Sequence, residues 1–97
     1  RPPGEALTEL GVLLVAAAEV CLVDQQAMEH GYDDDLTARR HENLGRAREA
    51  HTRMKGRQPD ADPDARASVG GLVAVSQALL DDLTPADARA GPDPRRD

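Results

Sequence analysis

The chain has 97 residues, a formal charge of −6, a single aromatic residue (Tyr32) and a single cysteine (Cys21). A chain of this length makes one small domain, and its core must come from Leu, Val, Ala and Met. The acidic balance, without stacking aromatics, excludes a general nucleic-acid binder. The lone cysteine excludes an intrachain disulfide and any zinc or redox cysteine pair.

Charge is unevenly spread, because residues 38–57 hold seven basic and two acidic side chains. No signal-peptide pattern is visible, and one unpaired thiol suits a reducing compartment, so a cytoplasmic location is expected. The most apolar run, residues 10–23, has fourteen residues and contains Glu19. A bilayer span needs roughly 20 apolar residues, so a core helix is expected here, with no membrane contact.

After Pro2-Pro3-Gly4, helix formers begin, and a first helix is expected over residues 5–30. Glu5 and Glu9 favour the positive end of its dipole, and Gly31 supplies a left-handed stop. Asp33, Asp34 or Asp35 can cap a second helix over residues 34–55. In that helix Asp35, Glu42 and Glu49 recur every seven residues, each followed at i+4 by Arg39, Arg46 or Arg53. These acid-then-base pairs define a solvated face and contribute a few tenths of a kcal/mol each. The inner seam is Leu36, Arg40, Asn43, Ala47, Ala50 and Met54, with Leu44 beside it.

A polar loop containing Pro59 leads to Asp62-Pro63, a cap followed by proline at the first helical position. The third helix is expected over residues 63–83, with Val69, Leu72, Val73, Ser76, Leu79, Leu80 and Leu83 as core. Gly70-Gly71 inside it permits a kink or a close approach, at roughly 1 kcal/mol per glycine relative to alanine. Thr84-Pro85-Ala86-Asp87 has a capping-box pattern, so a separate short turn is expected over residues 85–90, followed by a disordered tail at 91–97.

A tight connection makes the first two helices an antiparallel hairpin. The first helix offers a heptad seam of Leu7, Leu10, Leu14, Ala17, Cys21, Asp24 and Met28. In one antiparallel register Leu10 meets Met54, Leu14 meets Ala50, Ala17 meets Ala47 and Cys21 meets Asn43. The same register sets Met28 against Leu36 and makes Asp24 and Arg40 a seam ion pair. Val12, Val15, Glu19 and Leu22 then lie on the opposite side. Apolar back surface of this kind marks an interface. The fold expected is all-α: a helical hairpin plus a third helix, a three-helix bundle that dimerises into a larger bundle.

Glu19 is the most pointed residue for chemistry, because its i±3 and i±4 neighbours Val15, Ala16, Leu22 and Val23 are all apolar. A buried carboxylate needs a partner or stays protonated. Such a residue either snorkels or pairs with Arg at an interface edge, or else sits in an inter-subunit apolar pocket with a binding or catalytic role. The histidines are expected on solvated faces. No Glu-x-x-His pair occurs, and arginines surround the histidines, so neither a metal nor another cofactor is expected.

Residues 50–56, Ala-His-Thr-Arg-Met-Lys-Gly, resemble the His-x-x-Lys-Gly motif of histidine-containing phosphotransfer domains. That resemblance implies a small helical protein with His51 as phosphoacceptor. Here Lys55-Gly56 stands one residue further from His51 than in the family's motif. The function expected is a non-enzymatic oligomerisation or protein-binding module of regulatory or accessory type. A pocket around Glu19 is the alternative, and phosphotransfer at His51 the lesser one. The partners expected are a second copy of the chain and, beyond it, another protein.

Overall fold

A computed structural model describes residues 4–58 and 62–90, with side chains up to Leu83. It contains three helices and, among the described residues, no strands: α1 (Gly4–His30), α2 (Asp34–Arg57) and α3 (Pro63–Ala90). The expected segments 1–3 and 91–97, and most of the loop around Pro59, lie outside the described residues.

Local chemistry explains the helix ends. Gly31 takes φ 78° and donates its amide to the Ala27 carbonyl at 2.6 Å, a left-handed stop that a side chain would strain. Asp33 caps α2 by accepting the Leu36 amide at 2.8 Å, and Asp62 caps α3 by accepting the Ala65 amide at 2.8 Å. That bond to the Ala65 amide, which favours the charged carboxylate, is the main cause holding the Asp62 carboxyl below its ordinary range.

Two boundaries differ from expectation. α2 runs on to Arg57, whose guanidinium reaches Glu5 at the start of α1. α3 continues through Thr84-Pro85 to Ala90 without the expected break. Proline removes one amide donor, and one missing bond near a helix end does not stop propagation.

Each helix packs on the other two. The main core joins Leu13, Ala16 and Val20 of α1 to Leu44, Ala47 and Met54 of α2, with Val69 and Leu80 of α3 closing it. A smaller cluster of Val23, Ala27 and Leu36 sits at the α1–α2 turn, with Tyr32 against it. A Cβ at Gly70 would lie 2.9 Å from the side-chain Nε2 of Gln58, the end of a flexible side chain that can move aside.

The inward face of α1 departs from the expected seam. The buried positions are Ala6, Glu9, Leu13, Ala16, Val20, Val23 and Ala27, each one residue before its expected counterpart. Leu7, Leu14, Cys21 and Met28 are exposed instead. One residue is about 100° of helix rotation, so the periodicity is as expected and the face is turned. The observed orientation puts Val20 and Val23 in the core where the expected seam would put Cys21 and Asp24, and it also lets Glu5, Glu9 and Glu19 reach Arg57, Arg53 and Arg39 of α2.

Candidate interaction surface

The polar groups of the chain are largely committed to holding the helices together. Arg40 is 0 % exposed and gathers all three helices. Its Nε donates to Asp24 Oδ1 at 2.8 Å, and its Nη2 donates to Asp24 Oδ2 at 3.2 Å and to the Leu83 carbonyl at 2.8 Å. The Tyr32 hydroxyl donates to the same Asp24 Oδ1 at 2.6 Å. Burial, and then this bond to a carboxylate, push the Tyr32 phenol up from its ordinary pKa. Arg53 Nε meets Glu9 at 2.7 Å, while its i−4 partner Glu49 stands at 4.0 Å. The bond to Glu9 is the main cause raising Arg53 above the usual guanidinium range. Along the outside of α2, Arg46 pairs with Glu42 at 2.9 Å and Arg39 with Asp35 at 3.8 Å. Among the described residues no buried side-chain nitrogen or oxygen lacks a partner.

The candidate chemical residues take ordinary positions in this frame. Glu19 is half-exposed, with Arg39 Nη2 4.0 Å away. His51 is buried, not solvated, because α3 covers it. Ser76 Oγ donates to the Val73 carbonyl at 2.8 Å, so it accepts the Nδ1–H of His51, 2.5 Å away. Burial first, and then the Lys55 ammonium, lower the His51 pKa, with Asp81 opposing. Phosphorylation at Nδ1 would have to displace Ser76. Among the described residues no group of three or more His, Cys, Asp or Glu side chains is placed to hold a metal ion.

What remains uncommitted is the outer side of α1. Leu14 is 48 % exposed, Val15 69 % and Met28 86 %, with Leu7, Val12 and Leu22 also open to solvent. Gly11, Ala18 and Cys21 lie among them and are exposed as well. Between Leu7 and Met28 this outer arc carries no charged side chain, because Glu9, Glu19 and Asp24 are drawn toward α2. Two recesses border the ridge. One, of about 430 Å³, runs along Gly11, Val12, Val15 and Ala16 to Asn43 and Arg46 of α2. The other, of about 720 Å³, lies among Cys21, Asp24, Gln25, Ala27, Met28 and Tyr32. Neither recess is lined by Glu19.

No family model, curated protein or solved structure matches this chain. The surface must therefore be interpreted from its own chemistry. α1 as a whole is long and apolar enough to cross a membrane, with a mean hydropathy of 2.1 over its most apolar eighteen-residue window. One third of that window is buried against the other helices. The fourteen-residue count considered only the most apolar run, whereas the full helix meets the length and composition of a span.

Sequence reasoning located the Asp24–Arg40 pair and the apolar back of α1, which the structure leaves exposed at Val12, Val15 and Leu22. It missed Glu9 as the buried partner of Arg53, because Glu49 at i−4 offered a nearer one in sequence. Arg57, an unassigned cation at the end of α2, was the available signal, since it reaches both Glu5 and Glu9.

Proposed function

We propose that this protein is a small, non-enzymatic association module, a three-helix bundle that acts by burying the outer side of α1 against another polypeptide. The observation that carries this reading is the charge-free apolar face, on a molecule in which, among the described residues, every buried side-chain polar atom has a partner. Exposed apolar surface of this extent marks an interaction site. Hiding the exposed parts of Leu7, Leu14, Val15 and Leu22 gains on the order of 1 kcal/mol per side chain. Two copies doing so together gain enough to offset an association cost of roughly 4–15 kcal/mol at its lower end. The paired arginines of α2 and the core position of His51 give no comparable support to catalysis or phosphotransfer. A reducing, cytoplasmic setting suits the exposed thiol of Cys21.

The hydropathy of α1 favours a second reading, in which α1 enters a lipid bilayer. Spanning a bilayer would strip α1 from α2 and part Glu9 from Arg53 and Asp24 from Arg40, leaving charges uncompensated in hydrocarbon. Protein association keeps those pairs intact.

Sedimentation velocity over a micromolar dilution series tests the proposal. The wild-type chain is expected to associate, and Leu14→Glu to abolish association with its circular dichroism unchanged. A wild-type chain that is monomeric throughout and floats with phosphatidylcholine vesicles would replace this reading with the lipid one.

A further inference from the structure

The outer side of α1 carries a second heptad repeat, independent of the one that packs inward. Its first set of positions is Gly4, Gly11, Ala18 and Gln25, and its second is Leu7, Leu14, Cys21 and Met28. All eight are exposed. Alternating steps of three and four residues are the spacing of a coiled-coil seam, and this one runs the length of α1. From the association reading above, on which this step rests, we infer that the partner is a second copy of this chain. The two α1 helices run antiparallel across a two-fold axis beside Ala16.

The pattern selects both the occupant and the register. With the axis at Ala16, Gly4 faces Met28, Leu7 faces Gln25, Gly11 faces Cys21 and Leu14 faces Ala18 of the other copy. Each heptad position is used, and in three of the four layers a larger side chain meets Gly or Ala. Small residues at one set of positions allow helix axes toward the close end of the usual 8–10 Å. No layer contains a charge, and the carboxylates of Glu9 and Asp24 stay with Arg53 and Arg40 of their own chain. A strongly charged partner would find nothing complementary here, whereas an identical uncharged face matches it.

Val15 and Leu22 flank the seam on one side and extend it, while Val12 and Glu19 fall toward α2. A strip about 36 Å long and about 10 Å wide has a footprint of several hundred Å². That is below the roughly 800 Å² each partner contributes to a standard interface, so the dimer is expected at the weak, small end of specific interfaces. The isologous contact closes on itself, so the assembly stops at a dimer.

Cysteine trapping on the full chain tests the register separately from association. In the wild type the two Cys21 thiols lie ten residues apart along the antiparallel pair, about 15 Å, beyond disulfide reach. Mild oxidation should leave it uncrosslinked. Gly11→Cys places a thiol opposite Cys21 of the other copy at two sites per dimer. Nothing lies within 4 Å of a Cβ added at Gly11, so the variant should fold. It is expected to form a covalent dimer under the same oxidation, and G11C combined with Cys21→Ser to lose it. Glu19→Gln should leave the dimer's dissociation constant within about twofold.

A dimeric wild type whose Cys21 crosslinks readily to itself would overturn the antiparallel register and leave the association reading standing. So would a folded, dimeric G11C variant that does not crosslink. A monomeric wild type would overturn both.

Discussion

α2 is buried along one narrow stripe and densely charged on the rest, whereas α1 is apolar around its circumference and still leaves its outer half in water. The two helices lie against each other, so the contrast is not one of location. On α2 the apolar and small residues occupy one side, and salt bridges occupy the other. On α1 apolar residues surround the helix, and the inward face buries Leu13, Val20 and Val23 while three glutamates at its border reach three arginines. A helix of the first kind is oriented by the hydrophobic effect. One of the second kind keeps apolar residues in water whichever face turns inward.

The sharpest way to break this contrast is at Arg40. Arg40→Ala removes the guanidinium from Asp24 and from the Leu83 carbonyl, while Asp24 keeps the Tyr32 hydroxyl and partial contact with water. The loss should therefore fall at the lower end of what breaking a buried pair costs, about 3–5 kcal/mol. Urea denaturation should show a loss of that size, large for a domain whose total stability is about 5–15 kcal/mol.

The next test compares adjacent residues on opposite faces of α1. Leu13 is 0 % exposed and Leu14 is 48 % exposed. Leu13→Ala should destabilise the fold by about 2–5 kcal/mol. Leu14→Ala, measured below the association range, should stay within about 0.5 kcal/mol of wild type. Equal losses at the two sites would mean that the inward face has been misassigned.

The smallest effect is expected at His51. Its pKa lies below its ordinary value in the fold, so the unfolded chain binds more protons as pH falls through and below 6.5. The His51 contribution is therefore fully present above about pH 6.5, and it is lost as pH drops toward the lowered folded value. Lys55 adds to this trend and Asp81 opposes it. His51→Asn keeps a donor for Ser76, and it should flatten the change in urea midpoint between pH 7.5 and 5.5.

The seam of α2 was legible residue by residue. Leu36, Arg40, Asn43, Ala47, Ala50 and Met54 are all buried, because few other arrangements hide its apolar groups. The third helix gave up Val69, Ser76 and Leu80 for the same reason. His51 was not legible, since a histidine between basic residues looks solvated until a neighbouring helix covers it. The continuity of α3 past Pro85 was hidden as well, because a capping pattern records a local preference that an existing helix can override.

By itself the sequence determined an all-α chain of three helices, most of their caps, the Asp24–Arg40 pair, and the heptad period of α1. Those features depend on local backbone chemistry and on spacing along one chain. Only the tertiary structure decided which of two adjacent heptad stripes on α1 faces inward, and therefore which face is left open. That choice depends on what α2 and α3 cover, Val20 and Val23 rather than Cys21 and Asp24, with Glu9 meeting Arg53 across the helices, and no periodicity within α1 contains it.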